Sequence, residues 1–281
     1  MIKKTPRVAA IHDLSGFGRC SLTVALPILS VMGVQCTVMP TAYLSAHTAF
    51  PRFTFLDLTD EMRKTMAHWQ EMGLTFDAVY SGFLGDVDQI DIVSRFISAF
   101  RTEENFSVID PVMGDNGRRY VTYTDEMCDA TRRLVESADV ITPNLTEASF
   151  LLNEAYDSLP TDEAGFAEVA RALSGGGRRS VVLTGASDGP DTIGAAVYDR
   201  ETDSVSFALT DRIPGEYHGT GDVFASVLTG ALVQKKSLLE SAQLAARFVR
   251  DCAERTYPQG TPIQEGVDFE PLLYTISADK L

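Results

Sequence analysis

The sequence predicts an α/β fold: a mostly parallel central sheet with helices on both faces and a small antiparallel hairpin. Three observations carry this. Short β-branched or apolar runs alternate with longer stretches of helical period, the pattern of strand, crossover helix and parallel strand. Past Thr192 the alternation gives way to two short runs separated by Arg200-Glu201-Thr202-Asp203, which read as a hairpin. The segments following the strands are polar, acidic or glycine-rich while the strands are apolar, so one site built from several loops is expected beyond the carboxyl ends of the strands.

The elements follow in order. Val8 to Ile11 reads as the first strand, Leu22 to Met32 as a helix closed by Gly33, and Val34 to Met39 as the second strand. Next come a helix over about Leu58 to Met72, a strand at Ala78 to Ser81, a helix at Val87 to Phe100 and a strand at Phe106 to Ile109. A helix at Asp125 to Ser137, a strand at Val140 to Thr142, helices near Leu145 to Asn153 and Glu163 to Leu173, and a strand at Ser180 to Thr184 continue the series. The hairpin takes Thr192 to Tyr198 and Ser204 to Leu209, and helices at Thr220 to Gln234 and Leu238 to Arg255 close the body. Gly175-Gly176-Gly177 reads as a helix-to-strand turn rather than a phosphate loop.

The 281 residues carry 24 Lys+Arg against 39 Asp+Glu, a formal charge of −15. That balance argues against a sequence-independent grip on nucleic acid or on anionic lipid, both of which need clustered cations. With 44% hydrophobic and 22% charged residues a sizeable core is available, and one domain over residues 1–281 is expected. The four cysteines and four histidines show neither C-x-x-C nor H-x-x-x-H spacing, so no structural zinc site or disulfide framework is expected. The basic start Met1-Ile2-Lys3-Lys4 is followed by an apolar run that stops at His12 and Asp13, too short for a signal peptide; a soluble cytoplasmic protein is the expectation.

The strongest local signal is His218-Gly219-Thr220-Gly221-Asp222, running straight into an apolar helix. Gly219 and Gly221 are expected to let the chain turn sharply, so that successive amides point at one anion where the helix dipole favours negative charge. Asp222 falls in the first turn, where it is either a base for an attacking hydroxyl or an ordinary capping acid. Asp110-Pro111-Val112-Met113-Gly114-Asp115 and Thr142-Pro143-Asn144-Leu145-Thr146-Glu147 place oxygen ligands suited to Mg²⁺ at two further strand ends, although Asn144 and Glu147 also spell a capping box. No Gly-Lys dipeptide occurs, which excludes a Walker A loop. Gly16-Phe17-Gly18-Arg19-Cys20-Ser21 is only two-thirds of a dinucleotide fingerprint, and no acid occurs from Arg19 to Leu56 to bind a ribose. Asn116-Gly117-Arg118-Arg119-Tyr120, two arginines beside acids, is expected to fold over a triphosphate as a flap, or else to be a solvated turn.

In this order and spacing, the glycine-rich first loop, Asp110 with Asp115, Thr142 and Asn144 with Glu147, and Gly219-Thr220-Gly221-Asp222 resemble the ribokinase superfamily, and within it the pyridoxal (pyridoxine, pyridoxamine) kinases. The similarity runs from Val8 to about Ala253, and Ser45-Ala46-His47-Thr48 is similar to the Ser-x-His-Thr that those kinases carry near the vitamer ring. The resemblance implies a ribokinase-like fold and an ATP-dependent kinase acting on the 5′-hydroxymethyl group of a vitamin B6 vitamer. On matching positions it implies Asp222 as the base and the amides of Gly219, Thr220 and Gly221 as the cradle of the transferring phosphoryl group. It implies Asp110, Asp115 and Glu147 around Mg²⁺, largely through water and with Asn144 in support. Thr142 would hold phosphate or a monovalent cation such as K⁺, Thr184 would contact the nucleotide together with Thr142, Asn144 and Thr220, and Asp13, Ser45, Thr48 and Phe83 would line the vitamer pocket. It also implies a homodimer whose partner shields the site. Three departures stand out: Asp13 where those kinases usually carry Ser, Phe83 where they carry Tyr, and Ser21-Leu22 where they carry Gly-Asn. Asp13 would suit a ring donor of the vitamer or the amino group of a hydroxymethylpyrimidine. A hydroxymethylpyrimidine or sugar kinase, or a vitamer-binding protein without turnover, remains the alternative.

Overall fold

The structure, a computed structural model, describes residues 4–280, so the expectation for Met1, Ile2 and Lys3 lies outside the described residues. The chain opens with β1 (Arg7–Ser15), α1 (Ser21–Val31), β2 (Gln35–Leu44), β3 (Phe55–Asp57), α2 (Thr59–Glu71) and β4 (Ala78–Ser81). It continues with α3 (Val87–Ala99), β5 (Phe106–Ile109), β6 (Gly114–Asp115), β7 (Arg118–Arg119), α4 (Asp125–Val135), β8 (Val140–Ile141) and α5 (Leu145–Leu152). Then come α6 (Glu163–Leu173), β9 (Ser180–Ala186), β10 (Thr192–Asp199), β11 (Ser204–Asp211), α7 (Thr220–Val233) and α8 (Leu238–Thr256), followed by short 3₁₀ turns out to residue 280.

One nine-stranded sheet runs in the order β11-β10-β9-β8-β5-β4-β1-β2-β3. The strands from β9 to β2 in that order pair in parallel, while β10 pairs antiparallel with both β9 and β11, and β3 pairs antiparallel with β2. Successive side chains of a strand point to opposite faces, and the core divides accordingly. Ala9, Ile11, Val79, Ile109, Ile141, Val181 and Leu183 pack with α2 to α6 on one side. Val8, Ala78, Tyr80, Val108, Val140 and Val182 pack with α1, α7 and α8 on the other. Apolar residues on both faces are what a parallel sheet covered by crossover helices requires. Helices α3, α4, α6 and α8 begin where side chains satisfy free amides: Asp86, Thr124 and Asp162 accept from Gln89, Met127 and Gly165 at the starts of α3, α4 and α6, and Ser237 with Glu240 closes a capping box on α8. No helix among the described residues is long and apolar enough to cross a membrane.

Two elements lie outside the sequence expectations. β3 is a fully exposed edge strand of three residues, too short to show a period. The segment expected as a flap is a β-hairpin, β6 paired with β7, in which Asn116 and Gly117 take φ of 50° and 71°. Those values are the two left-handed positions of a type I′ turn, the geometry Asn-Gly favours. From β1 the chain builds outward to β2 and β3, then returns to lay β4 on the opposite side of β1. The strand order therefore reverses between β1 and β4, and a crevice is expected at their carboxyl ends.

Candidate functional site

Asp13 lies on β1 at this switch point, 4% exposed. A register irregularity between His12 and Leu14 marks the position. Its Oδ2 accepts from Ser15 Oγ at 2.7 Å and its Oδ1 from Ser21 Oγ at 2.5 Å. Burial raises the Asp13 carboxyl above its ordinary value, while the two hydroxyls and nearby His47 hold it down.

Across from it, Gly219 caps α7 with φ 78°. A Cβ there would meet the Arg19 carbonyl oxygen at 1.9 Å, so this position accepts glycine alone. Gly221 differs from expectation. It sits inside the first helical turn, outside the left-handed region, and a Cβ would meet nothing within 4 Å. Gly219 alone makes the bend; Gly221 leaves room in front of amides that have no partner within the helix. The Thr220 hydroxyl donates to the Tyr217 carbonyl at 3.1 Å, which holds the turn. Asp222, partly exposed, is pushed up to about 8, first by burial and then by Asp110 and Asp13, against the pull of the Ser21 backbone amide.

Asp110 follows β5 and accepts from Thr142 Oγ1 at 3.0 Å; burial pushes it up to about 7. Glu147 is 4% exposed, with Oε2 accepting from Asn144 N at 2.8 Å and Oε1 from Met113 N at 3.2 Å. Asn144 Oδ1 accepts from Glu147 N at 2.9 Å, so the capping box exists, and it is the capping box that delivers Glu147 to the acids. Burial, then Asp110 and Asp115, drive Glu147 well above the carboxylate range. Asn144 Nδ2 also donates to the Gly114 carbonyl at 3.0 Å, tying α5 to the hairpin. Asp115 is exposed and accepts from Asn116 N at 2.8 Å. Asp13, Asp222, Asp110, Glu147 and Asp115 thus form a linked chain of acids, in which Asp110 and Asp13 discourage ionisation of Asp222, and Asp110 and Asp115 that of Glu147. No group of three or more His, Cys, Asp or Glu among the described residues is gathered tightly enough to hold a metal directly.

The remaining expected residues lie on or after other strands of the sheet and, among the described residues, have no hydrogen bond to the acids. Ser45 and Thr48, after β2, are exposed, with Ser45 Oγ accepting from Thr54 N at 2.8 Å. Phe83, after β4, is partly buried, and its carbonyl accepts from Thr41 Oγ1 at 3.2 Å. Thr184 Oγ1 donates to the Pro143 carbonyl at 3.3 Å and joins β9 to the loop after β8. The two hairpin arginines separate, because neighbours on a strand face opposite ways. Arg119 pairs with Asp125 on α4, whereas Arg118 stands opposite Asp115 in the ladder and makes no ion pair among the described residues.

Sequence reasoning missed three features. Tyr120 is partly buried, and burial first, then Glu147, Asp115, Asp222 and Asp110, raise its hydroxyl above the ordinary value. Ser21, noted in the sequence only as a departure, donates its hydroxyl to Asp13. The third is a clasp in which three consecutive carbonyls take donors from three site loops. Ile263 O accepts from His218 N at 3.1 Å, Gln264 O lies 2.6 Å from His47 Nε2, and Glu265 O accepts from Arg19 N at 3.3 Å. Arg19 adds ion pairs to Glu270 at 2.8 Å and Asp268 at 3.3 Å. The Asn-Gly dipeptide was the available signal for the hairpin that sets Tyr120; the clasp has no local signature.

Comparison with known proteins agrees with this arrangement. The profile of the phosphomethylpyrimidine kinase family matches residues 29–266. A pyridoxine kinase of Bacillus subtilis is 31% identical over 214 residues, covering 75% of this chain and 74% of its own length. A Bacteroides thetaiotaomicron protein assigned as a phosphomethylpyrimidine kinase, crystallised with pyridoxal, superimposes with a TM-score of 0.92 at 43% identity, over 97% of this chain and 96% of that one. Pyridoxal kinase from Lactobacillus plantarum superimposes with a TM-score of 0.88 at 30% identity, over 97% of each chain. The fold is ribokinase-like, as the resemblance implied. With the profile spanning most of its length and the motif residues gathered at one end of the sheet, the chain belongs to the phosphomethylpyrimidine kinase family, among relatives that include pyridoxal and pyridoxine kinases.

Proposed function

We propose that the protein, acting as one kinase domain, transfers the γ-phosphoryl group of ATP to the 5′-hydroxymethyl group of a vitamin B6 vitamer in pyridoxal 5′-phosphate salvage. The observation that carries this reading is Asp222 held beside the Gly219–Gly221 amides and pushed up to about 8, because a base in that range takes a hydroxyl proton readily near neutral pH. The amides would cradle charge on the migrating phosphoryl group, and phosphoryl transfer with its loose transition state needs such positioning more than covalent help. Asp13, Ser45, Thr48 and Phe83 would bound the vitamer, and Thr142, Asn144, Thr184 and Thr220 the nucleotide.

The acid chain fits a divalent cation. All its donors are oxygens, and burial raises Asp110 and Glu147 in a way that a bound cation would reverse. Asp110, Asp115 and Glu147 would hold Mg²⁺ through its water, and the ion supplies neutralisation of the triphosphate when bound. Thr142 would serve a monovalent cation in the same way. Arg118, on the Asp115 face of the hairpin, is the arginine left for the triphosphate. Arg118→Ala is expected to raise the KM for ATP several-fold, the scale of an exposed charge contact, and Arg119→Ala to leave it within about twofold. Steady-state kinetics on the two variants measures the contrast.

The family profile itself favours a second reading, hydroxymethylpyrimidine as acceptor, which presents the same kind of hydroxyl. ADP release with ATP and Mg²⁺ against pyridoxal, pyridoxine, pyridoxamine, hydroxymethylpyrimidine and ribose decides. Turnover of a vitamer above the others supports our reading, turnover of the pyrimidine or the sugar alone replaces it, and binding of a vitamer without turnover makes this a binding protein. The reading includes a homodimer, and the exposed Tyr43, Phe55 and Leu56 at the β2–β3 edge are the apolar surface available to a partner. Sedimentation velocity giving a 30.6 kDa species throughout the micromolar range would remove the dimer.

A further inference from the structure

α1 begins in an unusual way. Its N-cap, Cys20, makes no side-chain capping bond, and Ser21, its first residue, takes φ 51°. A serine in the left-handed region is strained, and glycine would adopt that conformation freely. Strain of this kind persists where the surroundings over-determine it, and it concentrates at functional sites. A serine at a helix start ordinarily spends its hydroxyl on a free amide. Here Ser21 Oγ instead donates to Asp13 Oδ1 at 2.5 Å, and Ser15 donates to the other oxygen at 2.7 Å. Two hydroxyl donors require Asp13 to act as an acceptor, and each of its oxygens keeps a second lone pair. The Ser21 backbone meanwhile carries the turn into α1. One residue therefore has two tasks, its side chain holding Asp13 and its main chain starting the helix.

We propose that Ser21 is a positioning residue that sets substrate specificity: its hydroxyl fixes the Asp13 carboxylate as the acceptor for an N–H or O–H donor on a heteroaromatic substrate ring, while its backbone carries the turn into α1. The inference rests on the kinase reading above and adds the substrate feature that Asp13 demands. The strain at Ser21 follows from the two tasks, since a glycine would relieve the backbone but release Asp13.

Because the two tasks belong to different atoms, one substitution separates them. Ser21→Gly deletes the hydroxyl, keeps the amide and removes the strain. It is expected to fold with an unchanged or raised Tm and to keep kcat and the KM for ATP within about threefold. It is also expected to raise the KM for the vitamer about tenfold or more, the scale of a lost hydrogen bond to a charged group. In an Asp13→Asn background the same change should add little, because the group it acts through is already altered. Ser21→Ala, which keeps the strain and loses the hydroxyl, serves as the second variant and should show the same KM increase. An unchanged KM in both variants, or an increase that is fully additive with Asp13→Asn, overturns the proposal. Pyridoxal binding by calorimetry separates the two failures. A wild-type chain that binds but never phosphorylates pyridoxal refutes the kinase reading and leaves Ser21 to be judged on Kd, whereas one that turns over a vitamer while Ser21→Gly binds it equally well refutes only the Ser21 assignment.

Discussion

Asp222→Ala is expected to lower kcat by about 10²- to 10⁴-fold, the usual worth of a positioned general base, with the KM for ATP nearly unchanged. The separation follows from geometry. The nucleotide would be held by the amides at the start of α7 and by the Thr142 and Thr184 region, none of which depends on the Asp222 side chain, whereas the hydroxyl proton has Asp222 to go to. The same variant should be no less stable than the parent, because a carboxyl pushed up to about 8 by burial and by its acidic neighbours is an electrostatic burden on the fold. ADP release at saturating vitamer and a thermal melt test the two halves together. Equal losses of turnover and of ATP affinity would mean that Asp222 serves α7 as a cap and nothing more.

The ligand-free protein is expected to lose stability as pH rises from about 4 to 8, opposite to the behaviour of ordinary salt-bridged carboxylates. Asp110 and Asp222 ionise near 3.8 in the unfolded chain but at about 7 and about 8 in the folded one. Across that window the folded state keeps protons that the unfolded state has released, so each pH unit gained favours unfolding; below the lower value both states are protonated and the effect vanishes. For Asp110 the full shift corresponds to an upper bound of about 4 kcal/mol. Asp110→Asn removes that term and also relieves Glu147, which Asp110 discourages from ionising. Its Tm should exceed the parent's by at least about 3 °C at pH 8 and match it near pH 4, with activity lost. Melting curves for the two proteins at both pH values check it; a variant less stable at pH 8 would show that the Thr142 hydrogen bond to Asp110 matters more than the burden of its charge.

Much of this fold was legible because parallel strands covered on both sides are written as short apolar runs, and because helix starts are written as side-chain caps. Asp86, Thr124, Asp162 and Ser237 each stand where their oxygen meets a free amide. The first strand runs on to Ser15, beyond the expected Ile11, since a strand at a switch point carries its polar site residues within the ladder and the apolar pattern stops before the strand does. The acids stood out because Asp-Pro, Asn-x-x-Glu and Gly-x-Gly-Asp recur at strand ends, although the last two also spell helix starts and Asn144 with Glu147 does close a capping box. Ser21 was legible only as a departure and its role was not, because a backbone angle is set by what surrounds the residue, here Asp13 eight positions earlier. Gly221 was misread for the same reason: two glycines look alike in a sequence, and only the Arg19 carbonyl behind one of them tells them apart.

The carbonyls of Ile263, Gln264 and Glu265 reach loops whose residues were made far earlier, the His47 and Arg19 partners lying 217 and 251 positions before Gln264 and Glu270. A chain emerging from the ribosome can therefore assemble its sheet well before it owns a competent site. Val267, Phe269 and Ile276, just beyond the clasp, are buried against α1, α7 and α8, so cutting the chain ahead of Pro262 is expected to cost fold and site together.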